Sequence, residues 1–180
     1  VPLYTEDALL FHSIDETFEY IKNLKKSCVI YYHNLKFDGT VWLDFLIKRA
    51  GLKQAVEKID DIVKWQDTTK MSNNSFKYLI SDEGNWYSIT IKLSNRVIEI
   101  RDSLKLLPFS VKRIGDSFKT KHRKGTMVYT GYRYAGCPIS DEERDYIFND
   151  AFVVKEALEI MFDQGHKKLT IGSCCLEEFK

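Results

Sequence analysis

Two segments of the chain carry apolar residues at helical spacing behind a capping-box pattern, which satisfies free backbone N–H groups at the start of a helix. The first segment predicts a helix from about Ile14 to Lys25, and the second predicts a long helix from Ser140 to Gly165. The capping boxes are Ser13-x-x-Glu16 and Ser140-x-x-Glu143, and the apolar stripes are Ile14, Phe18, Ile21 and Leu24, then Ile147, Ala151, Val154, Leu158 and Met161.

A short segment, Cys28–Tyr32, is apolar, β-branched and aromatic, a composition typical of a buried strand. It leads into a polar loop, His33–Gly39, and then into a second helix that stops near Gly51. The apolar side of this helix consists of Val41, Trp42, Phe45 and Leu46. The predicted order is therefore helix, strand, loop, helix.

The pattern changes to short β-type segments in the middle of the chain. Phe76–Ile80, Trp86–Leu93 and Arg96–Ile100 are separated by the turn signals Asp82–Asn85 and Ser94–Asn95, which predicts a meander. Helices flanking a mixed sheet make the fold class α/β or α+β.

The composition excludes a disordered or membrane-spanning chain. It is 44% hydrophobic, 13% aromatic and 29% charged over 180 residues, which is ordinary for one globular domain. No apolar run approaches the ~20 residues that span a bilayer, and no export signal is recognisable. The four cysteines lack C-x-x-C spacing, so we expect reduced thiols rather than a zinc site.

The formal net charge is +1, but basic residues concentrate between Lys105 and Lys124. Such a cluster fits a solvated surface as well as it fits an anionic ligand.

Asp38 follows a strand and precedes a helix, where α/β folds place ligands and metals. Taken alone, an ordinary helix-capping role is at least as good an explanation for this residue.

Tyr146 and Asp150 are one helical turn apart, so a phenol and a carboxylate share one face of the long helix. By itself, this spacing also fits a solvated helix surface.

His33-Asn-Leu-Lys-Phe-Asp-Gly39 is more specific, and it resembles the second exonuclease motif of protein-primed family B DNA polymerases, found in small phages, adenoviruses and linear plasmids. The similarity continues in order along nearly the whole chain. Asp102–Phe109 resembles the single-strand-binding segment, Lys124-Gly125 with Tyr129 the basic catalytic motif, and Tyr146–Asp150 the third exonuclease motif.

The resemblance implies an RNase H-like fold and two-metal removal of mismatched 3′-terminal nucleotides, with Mg²⁺ or Mn²⁺ as cofactor. It implies that Asp38 and Asp150 are metal ligands, that Tyr146 orients the attacking water, and that Lys124 contacts the scissile phosphate or steadies the site. The residues implied to hold the single-stranded 3′ end are Asn34, Phe37, Ser103, Leu104, Phe109 and Tyr129. Without the resemblance, core packing would explain Phe37, Leu104 and Phe109.

Two departures from the family pattern qualify this assignment. The family's first motif, Asp-x-Glu on an opening strand, has no counterpart, since the earliest acidic residues are Glu6 and Asp7. Thr126 and Val128 occupy positions where the family tends to have acidic residues. We therefore expect residues 1–180 to be a single exonuclease-like domain without its first strand. We expect it to be truncated at the N-terminus, so that the Asp-x-Glu motif is missing, and at the C-terminus, before the polymerase palm.

The resemblance also implies partners and a location. We expect a single-stranded DNA 3′ end as ligand, with a polymerase domain, primer-template DNA and a terminal protein as partners in the parent protein. No membrane partner is expected, and the location is the cytoplasm of a bacterium or a phage-infected host. Two alternatives remain at this point: a non-catalytic single-stranded DNA-binding module that keeps the fold, and a structural domain of decayed ancestry.

Overall fold

The structure is a computed structural model that describes residues 8–128, 131, 132, 134 and 137–180. The chain divides into two compact units. The first is Ile14–Asp102, and the second consists of Ser103–Lys180 with the N-terminal residues up to Ser13. None of the helices in these described stretches is long and apolar enough to cross a membrane.

The first unit contains two helices and seven strands. In chain order these are α1 (Ile14–Asn23), β1 (Cys28–Tyr32), α2 (Leu35–Lys48), β2 (Lys53–Gln54), β3 (Val56–Ile59), β4 (Ile62–Trp65), β5 (Ser75–Ile80), β6 (Trp86–Leu93) and β7 (Arg96–Asp102).

Five of these strands form a mixed sheet in the order β1-β7-β6-β5-β2. Strands β5, β6 and β7 pair antiparallel, which confirms the predicted meander. The β6–β7 turn consists of Ser94 and Asn95, both with positive φ (46° and 66°), as a two-residue hairpin turn requires. Strand β1 pairs parallel with β7, with Tyr32 opposite Asp102. The mixed sheet with flanking helices confirms the α/β fold class.

The core of this unit lies between the helices and the sheet. Trp42, Phe45 and Leu46 of α2 are buried as predicted, and Phe18 of α1 meets Phe45 edge to face at 5.1 Å between ring centroids. Val41 was predicted on the apolar side, but this prediction is wrong because its side chain is 54% exposed. At about 100° per residue, Phe45 and Leu46 lie within about 60° of Trp42 around the helix axis, whereas Val41 lies about 100° from Trp42, at the edge of the buried face.

A two-stranded antiparallel hairpin of β3 and β4 was not predicted. Its turn is Asp60-Asp61, and both residues have positive φ (49° and 63°). Strand β3 has two charged residues between two apolar ones, β4 has one charged residue among three apolar ones, and most of their side chains are exposed. The segment therefore lacks the continuous apolar signal that identified β1.

The second unit is helical. It contains a 3₁₀ turn (Ser103–Lys105), α3 (Val111–Phe118), α4 (Asp141–Asp163) and α5 (Ile171–Glu178). Helix α4 begins with the predicted capping box, in which Ser140 Oγ accepts from the Glu143 N–H (3.2 Å) and Glu143 Oε2 accepts from the Ser140 N–H (2.8 Å). Helices α3 and α5 were not predicted because both are only eight residues long.

Candidate active site

Three of the predicted catalytic residues meet on α4 in the second unit. Tyr146 and Asp150 occupy successive turns of this helix, and Lys124 reaches them from the segment that precedes it. Lys124 Nζ donates to Tyr146 Oη at 3.0 Å and to Asp150 Oδ2 at 2.7 Å. A Cβ on the neighbouring Gly125 would lie only 3.3 Å from the Tyr146 ring, so a glycine allows this close approach to the helix.

The ammonium group of Lys124 is held in its charged form. Burial lowers its pKa, but the hydrogen bonds to Asp150 and Tyr146, together with the Asp150 charge, outweigh burial and raise the pKa above its ordinary value. Lys124 is therefore a cation at neutral pH, next to one carboxylate and one phenol.

The other Asp150 oxygen, Oδ1, is buried and accepts no hydrogen bond from any described residue. A buried oxygen without a hydrogen-bond partner is energetically costly unless another group interacts with it. A hard divalent cation is a suitable occupant because it prefers oxygen ligands.

Asp150 therefore fits as one ligand of such an ion. In the described part of the chain, however, no group of three His, Cys, Asp or Glu residues could hold a metal. The side chains at this position do not by themselves complete a set of ligands for two ions.

Asn34, Phe37 and Asp38 lie at the start of α2 in the first unit. The predicted loop His33–Gly39 is wrong in part, because the helix already begins at Leu35. Asn34 is the N-cap residue in a left-handed conformation (φ 70°, ψ 59°), and its side chain makes no capping hydrogen bond.

The capping explanation for Asp38 is therefore wrong, since this residue lies inside the first helical turn. Partial burial raises the pKa of its carboxyl, opposed by a backbone hydrogen bond. The positive end of the helix favours a negative charge at this position.

Two contacts hold this turn in place. The backbone N–H of Asn34 donates to Oδ1 of the buried Asp102 at 3.1 Å. Gly39 lies against Trp86, since a Cβ there would be 2.4 Å from Cζ3 of the indole. Asp102 and Trp86 were not predicted as site residues. The sequence signal for Asp102 was its place as the first residue of the segment Asp102–Phe109, which resembles the family's single-strand-binding segment.

The residues predicted to hold DNA differ in exposure. Phe37 is 80% exposed and Asn34 is exposed, whereas Leu104 and Phe109 are half-buried and Ser103 is fully buried. The Arg113 guanidinium lies over the Phe109 ring, 4.6 Å from its centroid. Tyr129 lies outside the described residues. Of the two described aromatic residues in this set, Phe37 is thus the more accessible.

Glu156 was missed by the sequence analysis although it lies on α4 close to the site. Its carboxylate accepts hydrogen bonds from Lys121 and His122, which immediately precede the Lys124 segment. The available sequence signal was an acidic residue next to the buried stripe of Val154 and Leu158. This signal could not identify the hydrogen-bond partners of Glu156, because they lie 34 and 35 residues away in the sequence.

Comparison with known proteins gives one consistent family. The family model described as "DNA polymerase type B, organellar and viral" matches residues 20–171. The DNA polymerase of Bacillus phage phi29 is 38% identical over 174 residues, which cover 94% of this chain and 28% of the phage protein.

Solved structures give the same result. The phi29 DNA polymerase complexed with single-stranded DNA superposes with a TM-score of 0.76 at 34% identity, covering 93% of this chain and 28% of that one. The same polymerase complexed with primer-template DNA gives a TM-score of 0.76 at 35% identity, with the same coverage. The chain spans little more than a quarter of the length of these relatives, and it belongs to the organellar and viral type B DNA polymerase family.

Proposed function

We propose that this chain forms the 3′–5′ exonuclease, or proofreading, part of a protein-primed type B DNA polymerase and removes mismatched nucleotides from a 3′ end. The observation that carries the proposal is the cluster of Lys124, Tyr146 and Asp150, in which one Asp150 oxygen has no hydrogen bond. Phosphodiester hydrolysis requires such groups, because negative charge develops on the phosphate and on the leaving oxygen.

Each residue has a distinct role in this proposal. Asp38 and Asp150 hold Mg²⁺ or Mn²⁺, and two such ions, when bound, supply an activated water and stabilise the leaving oxygen. Tyr146 orients the water through its hydroxyl. Lys124 contacts the scissile phosphate or steadies the site, and its protonated state suits both tasks.

The single-stranded 3′ end is held by stacking and polar contacts that do not depend on sequence. An exposed aromatic ring accepts any base, and stacking contributes about 1–3 kcal/mol per base. The 80% exposure of Phe37 supports this role. The other proposed DNA contacts are Asn34, Ser103, Leu104, Phe109 and Tyr129.

The parent protein is proposed to be a DNA polymerase that works in the cytoplasm of a bacterium or a phage-infected host. Its other partners would be its polymerase domain, primer-template DNA and a terminal protein. The solved phi29 polymerases in complex with single-stranded and primer-template DNA support DNA as the ligand class.

A non-catalytic single-stranded DNA-binding module is the alternative function. The observation that favours it is the lack of a three-residue metal-ligating group in the described part of the chain. In that case Phe37 would bind DNA, and Asp150 would serve only as the partner of Lys124.

Metal binding by the 180-residue chain separates these functions. Two ions bring four positive charges, whereas Asp38 and Asp150 supply two negative ones, so we expect one weakly held ion and little 3′ degradation. Substoichiometric Mn²⁺ should broaden the amide NMR signals of both Asp38 and Asp150. The broadening should disappear in Asp150→Asn and persist in the control Asp145→Asn, which changes an exposed carboxylate of the same helix.

Broadening of neither signal would overturn the metal-dependent function and favour the DNA-binding module. Broadening at Asp150 alone would overturn the proposal that both carboxylates share an ion.

A further inference from the structure

Residues 120–123, which directly precede Lys124, are fixed to α4 by one carboxylate, that of Glu156. Glu156 Oε2 accepts from the backbone N–H of Lys121 at 2.5 Å and from that of His122 at 3.3 Å. Glu156 Oε1 contacts His122 Nδ1. Since an ionised carboxylate can only accept hydrogen bonds, the His122 ring carries its hydrogen on Nδ1 in this pair. Both oxygens of Glu156 are therefore used to hold two consecutive residues.

Other contacts fix the same short segment from either side. The His122 ring stacks on Phe152 of α4, with 4.7 Å between centroids and 26° between planes. Thr120 Oγ1 donates to the His122 carbonyl at 2.8 Å, and the Arg123 guanidinium donates to the Gly115 carbonyl. Each of the four consecutive residues from Thr120 to Arg123 thus makes a defined contact, through its backbone or its side chain.

The charge of Glu156 agrees with this geometry. Burial raises its pKa, but the hydrogen bonds from His122 and from the two backbone N–H groups outweigh burial and lower the pKa below its ordinary value. The carboxylate is therefore ionised, and charge-assisted hydrogen bonds of this kind are stronger than neutral ones.

Glu156 and the site lie on the same helix at a fixed separation. Six residues separate Asp150 from Glu156, about 9 Å along the helix axis at 1.5 Å per residue. Lys124 is two residues beyond His122, and it reaches Asp150 and Tyr146 on the same helix. A lysine side chain loses rotamer entropy when it is immobilised, so a fixed backbone position at Lys124 leaves fewer side-chain conformations to be restricted.

We propose that Glu156 is a positioning residue: by holding Lys121 and His122 against α4, it places the Lys124 ammonium on Tyr146 and Asp150. Its importance for catalysis rests on the proposed exonuclease function. The placement itself is a property of the folded chain and can be measured without any activity.

The test uses the 180-residue chain with isotope-labelled lysine and tyrosine. Lys124 Nζ lies 5.2 Å from the Tyr146 ring centroid, so an NOE is expected between the Lys124 ε-methylene and the Tyr146 ring. This NOE should be lost in Glu156→Ala and weakened in Glu156→Gln, which keeps one acceptor oxygen. It should be unchanged in the matched control Glu159→Ala, which removes a half-buried glutamate that pairs with Lys155 on the same helix.

A purely structural role would lower the unfolding midpoint but leave the NOE intact in the molecules that remain folded. An unchanged NOE in folded Glu156→Ala would therefore overturn the proposal. If Glu156→Ala does not fold, the NOE is measured in Glu156→Gln alone. An undiminished NOE in Glu156→Gln would then overturn the proposal. Absence of Mn²⁺ binding at Asp150 would overturn the exonuclease function and leave the NOE result untouched.

Discussion

The backbone N–H of Asn34 donates to the carboxylate of Asp102 at 3.1 Å, although 68 residues separate the two along the chain. Asp102 ends β7 opposite Tyr32, the last residue of β1. Its side chain therefore reaches the first residues beyond the parallel strand. This contact fixes the left-handed turn that starts α2 and presents Phe37 and Asp38.

Asp102→Ala should destabilise the first unit because it leaves the Asn34 N–H without its acceptor. A typical hydrogen bond contributes about 0.5–1.5 kcal/mol, and Asp102→Asn, which keeps an acceptor oxygen, should cost less than Asp102→Ala. Urea unfolding measures the difference, with the exposed turn residue Asp82 changed to alanine as control. Equal stability of Asp102→Ala and Asp82→Ala would contradict the assigned contact.

Gly39→Ala should also destabilise the fold, even though alanine favours helices by about 1 kcal/mol. The new Cβ would lie 2.4 Å and 2.7 Å from two atoms of the Trp86 ring, and overpacking of this kind costs about 1–3 kcal/mol. The matched control is Gly172→Ala in α5, where a Cβ would meet nothing within 4 Å. Urea unfolding followed by tryptophan fluorescence should show a loss for the first variant and none for the second.

Single-stranded DNA binding should depend on Phe37 and should weaken as salt rises. Loss of one stacked base costs about 1–3 kcal/mol, and phosphate contacts from the basic stretch between Lys105 and Lys124 release counterions. Fluorescence anisotropy with a labelled oligonucleotide should show weaker binding for Phe37→Ala than for the control Phe179→Ala, whose ring is 89% exposed. Equal affinity at low and moderate salt would argue for a purely structural domain.

Glu156 should stabilise the folded chain at neutral pH and lose this effect in acid. Its pKa is lower in the folded chain than the ordinary value of 4.5 that it has when unfolded. Its stabilising effect is therefore complete above about pH 4.5 and is lost as the pH falls through the lowered folded value. The urea midpoints of the unaltered chain and Glu156→Gln should differ at pH 7 and converge as the pH falls below the lowered folded pKa of Glu156. A gap that stays constant over this range would show that the carboxylate charge is not involved.

Local patterns predicted the elements whose determinants lie close together in sequence. The capping box at Ser140 and most of the stripe on α4 are examples, because every residue involved lies within one helix. The prediction was wrong for Ile147, which is 38% exposed. The meander was predictable for the same reason, since its turns are short and its strands pair consecutively.

Contacts between distant segments could not be predicted from pattern alone. The start of α2 resembled a polar loop because the acceptor for the Asn34 N–H is far away on β7. The approach of Lys124 to Asp150 spans 26 residues, and only family resemblance suggested it. The Glu156 contact with His122 had neither a local pattern nor a family motif to indicate it.

The exonuclease assignment is tested most directly by 3′-end degradation in a chimera. This chain replaces the matched stretch of 174 residues in the phi29 DNA polymerase, and the residues on either side of that stretch are kept, because the family pattern places there the Asp-x-Glu motif that this chain lacks. Primer extension by the chimera reports correct folding. We predict Mg²⁺-dependent removal of 3′ nucleotides from a single-stranded oligonucleotide. Asp38→Ala and Asp150→Ala should each slow it about a hundredfold or more, Tyr146→Phe should slow it less, and Asp145→Ala should leave it unchanged. A chimera that extends primers but degrades no 3′ ends, or one that keeps degrading them after Asp150→Ala, would contradict the account.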